Sequence, residues 1–172
     1  MTDQELRALD AEVAEKVMGW VWMQRVGDDA AWLFPPDSKD ETRTGNFGYP
    51  VVSRCGYTGP FEPYRGGRKE KSDFIPLYSS EITAARLVVE KMRENVAGFE
   101  LDYWPEEEPN GWLACFGNNL SEADLRELGL NPSTTRSECT GETAQVAICN
   151  AALAWARGGN SRFLRPKAHR EG

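Results

Sequence analysis

The stretch Glu142-Thr143-Ala144-Gln145-Val146-Ala147-Ile148-Cys149-Asn150-Ala151-Ala152-Leu153-Ala154-Trp155-Ala156 constrains this chain more than any other. Its alanines favour a helix, and apolar residues fall around most of its circumference. Such a helix cannot lie bare in water, so other elements must cover it. Gly158-Gly159 is placed to end it, just after Arg157.

Two further helices are available as cover. The first is expected to start at Thr2, where Thr2-x-x-Glu5 has the form of a capping box. Leu6, Leu9, Val13, Val17 and Trp20 then recur at spacings that give one apolar face, and Gly19 is a plausible stop. The second is expected to begin with Ser79 or Ser80 as N-cap and to run to about Asn95. Ile82, Ala85, Val89 and Met92 form its expected inner face, widened by Leu87 and Val88.

Between the helices the pattern changes to strands. Trp20–Val26, a turn at Gly27-Asp28-Asp29 and Ala31–Phe34 read as a hairpin that Pro35-Pro36 ends. Tyr49–Arg54 is a short strand, and Phe74–Leu77 is extended as it enters the second helix. Phe99–Trp104 and Gly111–Phe116 form a clear hairpin around the acidic turn Pro105–Asn110. A short helix opens at Ser121 and closes at Gly129, and Asn131–Cys139 reads as polar loop. The expected class is therefore α+β, with a mostly antiparallel sheet sandwiched between helices in α-β-α layers. Residues 1–159 are expected to form a single domain, with loop insertions near 44–72 and 121–139. The basic tail 160–172 is expected to be a flexible, solvated terminus.

Composition excludes several function classes. The chain has 172 residues and a formal net charge of -7, which opposes binding to duplex nucleic acid. No apolar run reaches about 18 residues, so no membrane span is expected, and the polar N-terminus does not resemble a secretory signal. A cytoplasmic location follows as the expectation. The four cysteines, Cys55, Cys115, Cys139 and Cys149, form no C-x-x-C pair. They are expected to be reduced thiols, with Cys115 and Cys149 in the core. The single histidine, His169, lies in the tail, which disfavours both a zinc site and a serine triad. Glu106-Glu107-Glu108 reads as a solubilising turn, and Asp102 alone stands at a strand end. No catalytic residues, metal or cofactor are expected.

Three places carry candidate binding chemistry. The stretch 44–72 interleaves Asn46, Tyr49, Arg54, Tyr57, Tyr64, Arg65 and Arg68, with Phe47, Phe61, Lys69 and Lys71 beside them. Guanidinium groups pair with phosphate and aromatic faces stack on bases. Glycines at 45, 48, 56, 59, 66 and 67 would let backbone N–H groups approach a ligand. The alternative is a solvated loop whose aromatics fold back onto the core. Gly66-Gly67 does not have the ending of a phosphate-binding P-loop. The second place is Tyr78-Ser79-Ser80-Glu81, where a helix start offers N–H groups to an anion. Ordinary N-capping explains the same serines. The third is the set Trp20, Trp22, Trp32, Trp104, Trp112 and Trp155, one of which could stack on a base. Burial in the core is the stronger reading for them.

The segments "AEKVMGW", "PLYSSE" followed by "AARLVVEKM", and "AICNAALAWA", in that order, resemble the phage ABA-sandwich domain family. Members are small phage and prophage proteins in which a sheet lies between helical layers. The segments cover about a quarter of the chain, and the family pattern says nothing of the two insertions. The resemblance implies a compact, phage-encoded protein that acts inside the infected cell, and proteins of that description often counter host defence. Combined with the Arg/Tyr/Gly stretch, it leads to the expectation of a non-catalytic anti-defence protein that sequesters a nucleotide-derived immune signal, a cyclic nucleotide or ADP-ribose derivative. Asn46, Tyr49, Arg54, Tyr57, Tyr64, Arg65, Arg68, Tyr78, Ser79 and Ser80 are its expected ligand contacts. A homo-oligomer is expected. The alternative is an accessory protein that binds a host or phage protein directly.

Overall fold

The computed structural model describes residues 1–35, 61–70, 75–94, 98–104, 111–117 and 136–157, the backbone of 43–44 and 50–51, and the helical positions 123 and 127. Helix α1 spans Asp3–Lys16 and opens on the expected capping box. The Glu5 N–H donates to Thr2 Oγ1 at 3.3 Å, and the Thr2 N–H donates to Glu5 Oε2 at 2.6 Å. At the other end the Trp20 N–H donates to the Ala14 carbonyl. Gly19, at φ +74°, makes that turn without steric cost.

Strands β1 (Val21–Arg25) and β2 (Ala30–Phe34) form the first hairpin. The backbone of β3 (Arg43–Thr44) and β4 (Pro50–Val51) makes a small separate ladder. Strand β5 (Phe61–Pro63) adds antiparallel to β1, and β6 (Arg68–Lys69) adds parallel to β2. The first sheet thus runs β5-β1-β2-β6. Helix α2 covers Ile82–Arg93. Strands β7 (Gly98–Trp104), β8 (Gly111–Gly117) and β9 (Arg136–Gly141) form an antiparallel sheet in the order β7-β8-β9. Helix α3 spans Ala144–Arg157. The described chain is α+β, with three helices and sheets that are antiparallel except at β2–β6.

The third helix sets the architecture, as its composition requires. Nine of its residues are buried, Val146–Cys149, Ala151–Leu153, Trp155 and Ala156. They pack against β8 and β9 and against α1 and α2. Leu9, Val13 and Val17 of the first helical segment, Val88 and Met92 of α2, Leu33 of β2 and Phe116 of β8 join the same core. A smaller cluster, Met23, Phe34 and Phe61, lies on the other face of the first sheet. Cys115 and Cys149 are buried, as expected.

Three local expectations need correction. Asn131–Cys139 was expected to be polar loop, but Arg136–Gly141 is strand β9. Its residues alternate, with Ser137 buried and Cys139 half-buried while Glu138 and Thr140 are exposed. No large apolar side chain marks that period, so composition hid it. In α2 the buried stripe is Ala84, Ala85, Val88, Val89 and Met92, whereas Ile82 is 57% and Leu87 45% exposed. Ile82 sits in the first turn at the margin of the stripe, and Leu87 is on the far side. The N-cap of α2 is Glu81, whose side chain makes no capping bond, and not Ser79 or Ser80. Tyr49–Arg54 is strand only at Pro50–Val51 within the described residues. The expected acidic turn 105–110, most of the helix expected over 121–129 and the tail lie outside them.

Candidate functional site: an aromatic and basic sheet face

Registration across the first sheet places Glu62, Gln24, Ala31 and Lys69 in one row on one face. Trp22, two residues before Gln24, shares that face, and so does Tyr64, two after Glu62. The Tyr64 N–H donates to the Trp22 carbonyl at 3.3 Å, which continues the β5–β1 pairing. Leu33 stands opposite Trp22 and belongs to the main core. Trp22 therefore rests partly on the core and turns partly outward.

The small side chain of Ala31 decides what happens next. It leaves room for Lys69 to reach back across it towards Trp22. The Lys69 Nζ sits 4.4 Å from the centre of the Trp22 ring and 5.5 Å from that of Tyr64. The two rings are 6.4 Å apart and tilted by 47°. Glu15 of α1 completes the cluster. The Trp22 Nε1–H donates to its Oε2 at 3.0 Å, Lys16 pairs with it at 3.0 Å, and Lys69 stands at 3.8 Å. Burial raises the Glu15 carboxyl, but the Trp22 bond and the charges of Lys16 and Lys69 outweigh it and hold the group below its ordinary range.

The segment from β5 to β6 crosses the end of the hairpin, and this explains its glycines. A Cβ on Gly67 would lie 2.2 Å from the Asp29 carbonyl oxygen, so only glycine fits that crossing. Gly66 has φ +113°. The Arg68 N–H donates to the Asp29 carbonyl at 2.6 Å and the Tyr64 hydroxyl to the Gly67 carbonyl at 2.8 Å. The Arg65 N–H donates to Gln24 Oε1 at 3.4 Å. Chain crossing, not approach to a ligand, is what Gly66-Gly67 provides here.

Of the residues expected to touch a ligand, Tyr64 and Arg65 are brought together on this face, with Trp22 and Lys69. Arg65 pairs with Glu62 at 3.0 Å and is 71% exposed. Arg68 is 77% exposed and pairs with Glu70 at 2.5 Å. It neighbours Lys69 in the strand and so projects to the opposite face. Phe61 is buried in the smaller core cluster, as the loop alternative had it. Asn46, Tyr49, Arg54 and Tyr57 lie outside the described residues.

The start of α2 is used differently from what the helix-terminus reading expected. Tyr78 and Ser79 are each only 1% exposed. The Ser79 N–H donates to Asp10 Oδ1 at 2.7 Å and its hydroxyl to the Leu6 carbonyl at 3.2 Å. The Ser80 and Glu81 N–H groups both donate to the Leu77 carbonyl. The two Ser79 bonds tie the start of α2 to α1, and the Ser80 and Glu81 bonds close the turn before it. Asp10, fully buried, is the hub, and it also accepts from Arg7 Nη1 at 3.0 Å. Burial, with Asp10 beside it, pushes the Tyr78 hydroxyl up. The same causes push the Cys149 thiol up to about 12. Sequence reasoning passed over Asp10, although a carboxylate between Leu6 and Val13 on a helix's apolar face is a signal of a buried partner.

Comparison with protein-family models, with curated proteins and with solved structures gives no match. The chemistry must be argued from the residues themselves. Among the described residues, no group of three or more His, Cys, Asp or Glu is placed to hold a metal ion. No described helix is long and apolar enough to cross a membrane. An open cavity of about 510 Å³ lies between α1, α3 and β9, lined by Leu9, Leu153, Cys139, Asn150, Glu12 and Arg157 among others. Arg157 pairs with Glu12 there at 2.5 Å, and Asn150 Nδ2 donates to the Thr140 carbonyl at 3.2 Å. Arg157 and Asn150 are engaged within this cavity, and what sets the Trp22 face apart is the meeting of two aromatic rings with Lys69.

Proposed function

We propose that this chain is a non-catalytic binding protein for a small nucleotide-derived molecule, held on the sheet face of Trp22, Tyr64, Arg65 and Lys69. The observation that carries the reading is the meeting of two aromatic rings with basic side chains on one face of a chain whose net charge is -7. A nucleotide supplies a base for the rings and a phosphate for the cations. The Arg65–Glu62 and Lys69–Glu15 pairs are partly exposed, and such pairs contribute only about 0–1 kcal/mol. A phosphate can compete for either cation. Asn46, Tyr49, Arg54 and Tyr57 remain candidate contacts from the sequence, and the interior positions of Tyr78 and Ser79 remove those two.

The resemblance to the phage ABA-sandwich family supports the setting, a phage anti-defence protein that sequesters an immune nucleotide in the host cytoplasm. It also supports α-β-α layering. Capture of this kind commonly uses a pocket between subunits, which supports a homo-oligomer with the ligand near a subunit boundary. Thermal shift against cyclic dinucleotides, AMP and ADP-ribose tests the reading. At least one member should stabilise the wild-type protein, and Tyr64→Ala and Arg65→Glu should remove the effect while circular dichroism stays unchanged. A folded protein that no member stabilises would sink it.

One observation favours direct protein binding instead. Glu100 and Asp102 stand exposed on one face of β7, and an acidic face suits a basic partner. Under that reading Arg65→Glu leaves activity in infected cells intact.

A further inference from the structure

The open side of Trp22 is occupied by the chain itself. Its other side packs on the main core, so a base has one approach, and the Lys69 ammonium lies across it at 4.4 Å. We propose that Lys69 is a displaceable cover for the Trp22–Tyr64 rings, which a nucleotide moves aside and then engages through its phosphate. This rests on the binding reading above and adds how the site opens. Lys69 is suited to the exchange because its present partner does not depend on it. Glu15 keeps a Trp22 N–H at 3.0 Å and Lys16 at 3.0 Å, against 3.8 Å for Lys69. The Lys69 side chain is 45% exposed, so its head already reaches water and a short swing carries it outward. An ammonium over a ring and an ammonium on a phosphate are alternatives for one group, and the second is the stronger bond.

The two roles pull a nucleoside and its phosphate in opposite directions, which makes them separable. The probes are adenosine and AMP, titrated into wild-type protein, Lys69→Ala and Lys69→Met. With Lys69→Ala the rings are uncovered, so adenosine should bind more tightly by about twofold to fivefold, the scale of an exposed cation–π contact. AMP should bind about tenfold more weakly, the scale of a lost charge-assisted bond. Lys69→Met keeps an apolar cover without the charge, so AMP should weaken while adenosine does not gain. If both probes move in the same direction in Lys69→Ala, with Lys69→Met folded and parallel, the cover is overturned while the binding reading stands. If wild-type protein and both variants bind neither probe, the cover is overturned, and the binding reading falls with it only if ADP-ribose and the cyclic dinucleotides also fail to stabilise the protein.

Discussion

Asp10 shows how one side chain can hold two helices together. Its carboxylate has no access to water, and it gathers the Arg7 guanidinium and the Ser79 N–H. Removing one partner of a buried charged group leaves the others uncompensated, at a cost of about 3–5 kcal/mol. Arg7 is only partly buried and also donates to the Ile75 carbonyl, so the lower end applies. Asp10→Ala should lose roughly 3 kcal/mol in urea unfolding, and a loss under about 1 kcal/mol would show that the hub matters little. The thiols give a second prediction at this scale. Cys115 and Cys149 are buried, and burial, followed by Asp10, pushes Cys149 up to about 12. Cys139 is half-buried, and burial and Glu138 raise it against the pull of Arg157. A thiolate-selective reagent at pH 8 should therefore modify Cys139 slowly and leave Cys149 untouched until the protein unfolds. Mass spectrometry of the labelled peptides reads this, and early labelling of Cys149 would contradict its burial.

At the level of elements, the β5–β6 crossing is the most exacting piece of chain. Gly67 passes under the Asp29 carbonyl, and its backbone cannot retreat without breaking the Arg68 N–H bond to that same oxygen. Gly67→Ala should cost about 1–3 kcal/mol and raise hydrogen exchange at Arg68 and Glu70, whose N–H groups bond to β2 and its preceding turn. Unchanged protection there would refute the crossing. The sequence made most elements legible where period and capping agreed. The Thr2–Glu5 box located α1, alternation located β1, the hairpin pattern located β2, β7 and β8, and the apolar surface of Glu142–Ala156 required the cover that α1, α2 and the second sheet provide. It failed at β9, where Ser137 and Cys139 face inward without any large apolar residue to mark the period. It failed again at Ser79, because a serine before a helix reads as a cap and its tie to Asp10 spans 69 positions. The candidate site was half legible. Tyr64 and Arg65 were visible as composition, but their meeting with Trp22, Lys69 and Glu15 depends on strand order, which no local pattern encodes.

For the whole molecule, Glu15 links the site to stability, because it bonds Trp22 and stands near Lys69. Its folded-state pKa lies below the ordinary 4.5. The stability it contributes is therefore fully present above that value and is lost as pH falls through the lower, folded-state one. Glu5, bonded by Thr2, acts in the same direction. Glu15→Gln should flatten part of the decline in unfolding free energy below about pH 5, and an unchanged slope would remove Glu15 from that account. The central claim concerns the face that Glu15 supports. An indole N–H spectrum titrated with AMP, ADP-ribose and cyclic dinucleotides tests it most directly, since the Trp22 N–H is bonded within the site and Trp155 is buried in the core. The account predicts a saturable shift of the Trp22 signal, absent in Tyr64→Ala, while the Trp155 signal stays in place. No shift at Trp22 with any ligand, or saturable binding that perturbs only other tryptophans, would contradict it.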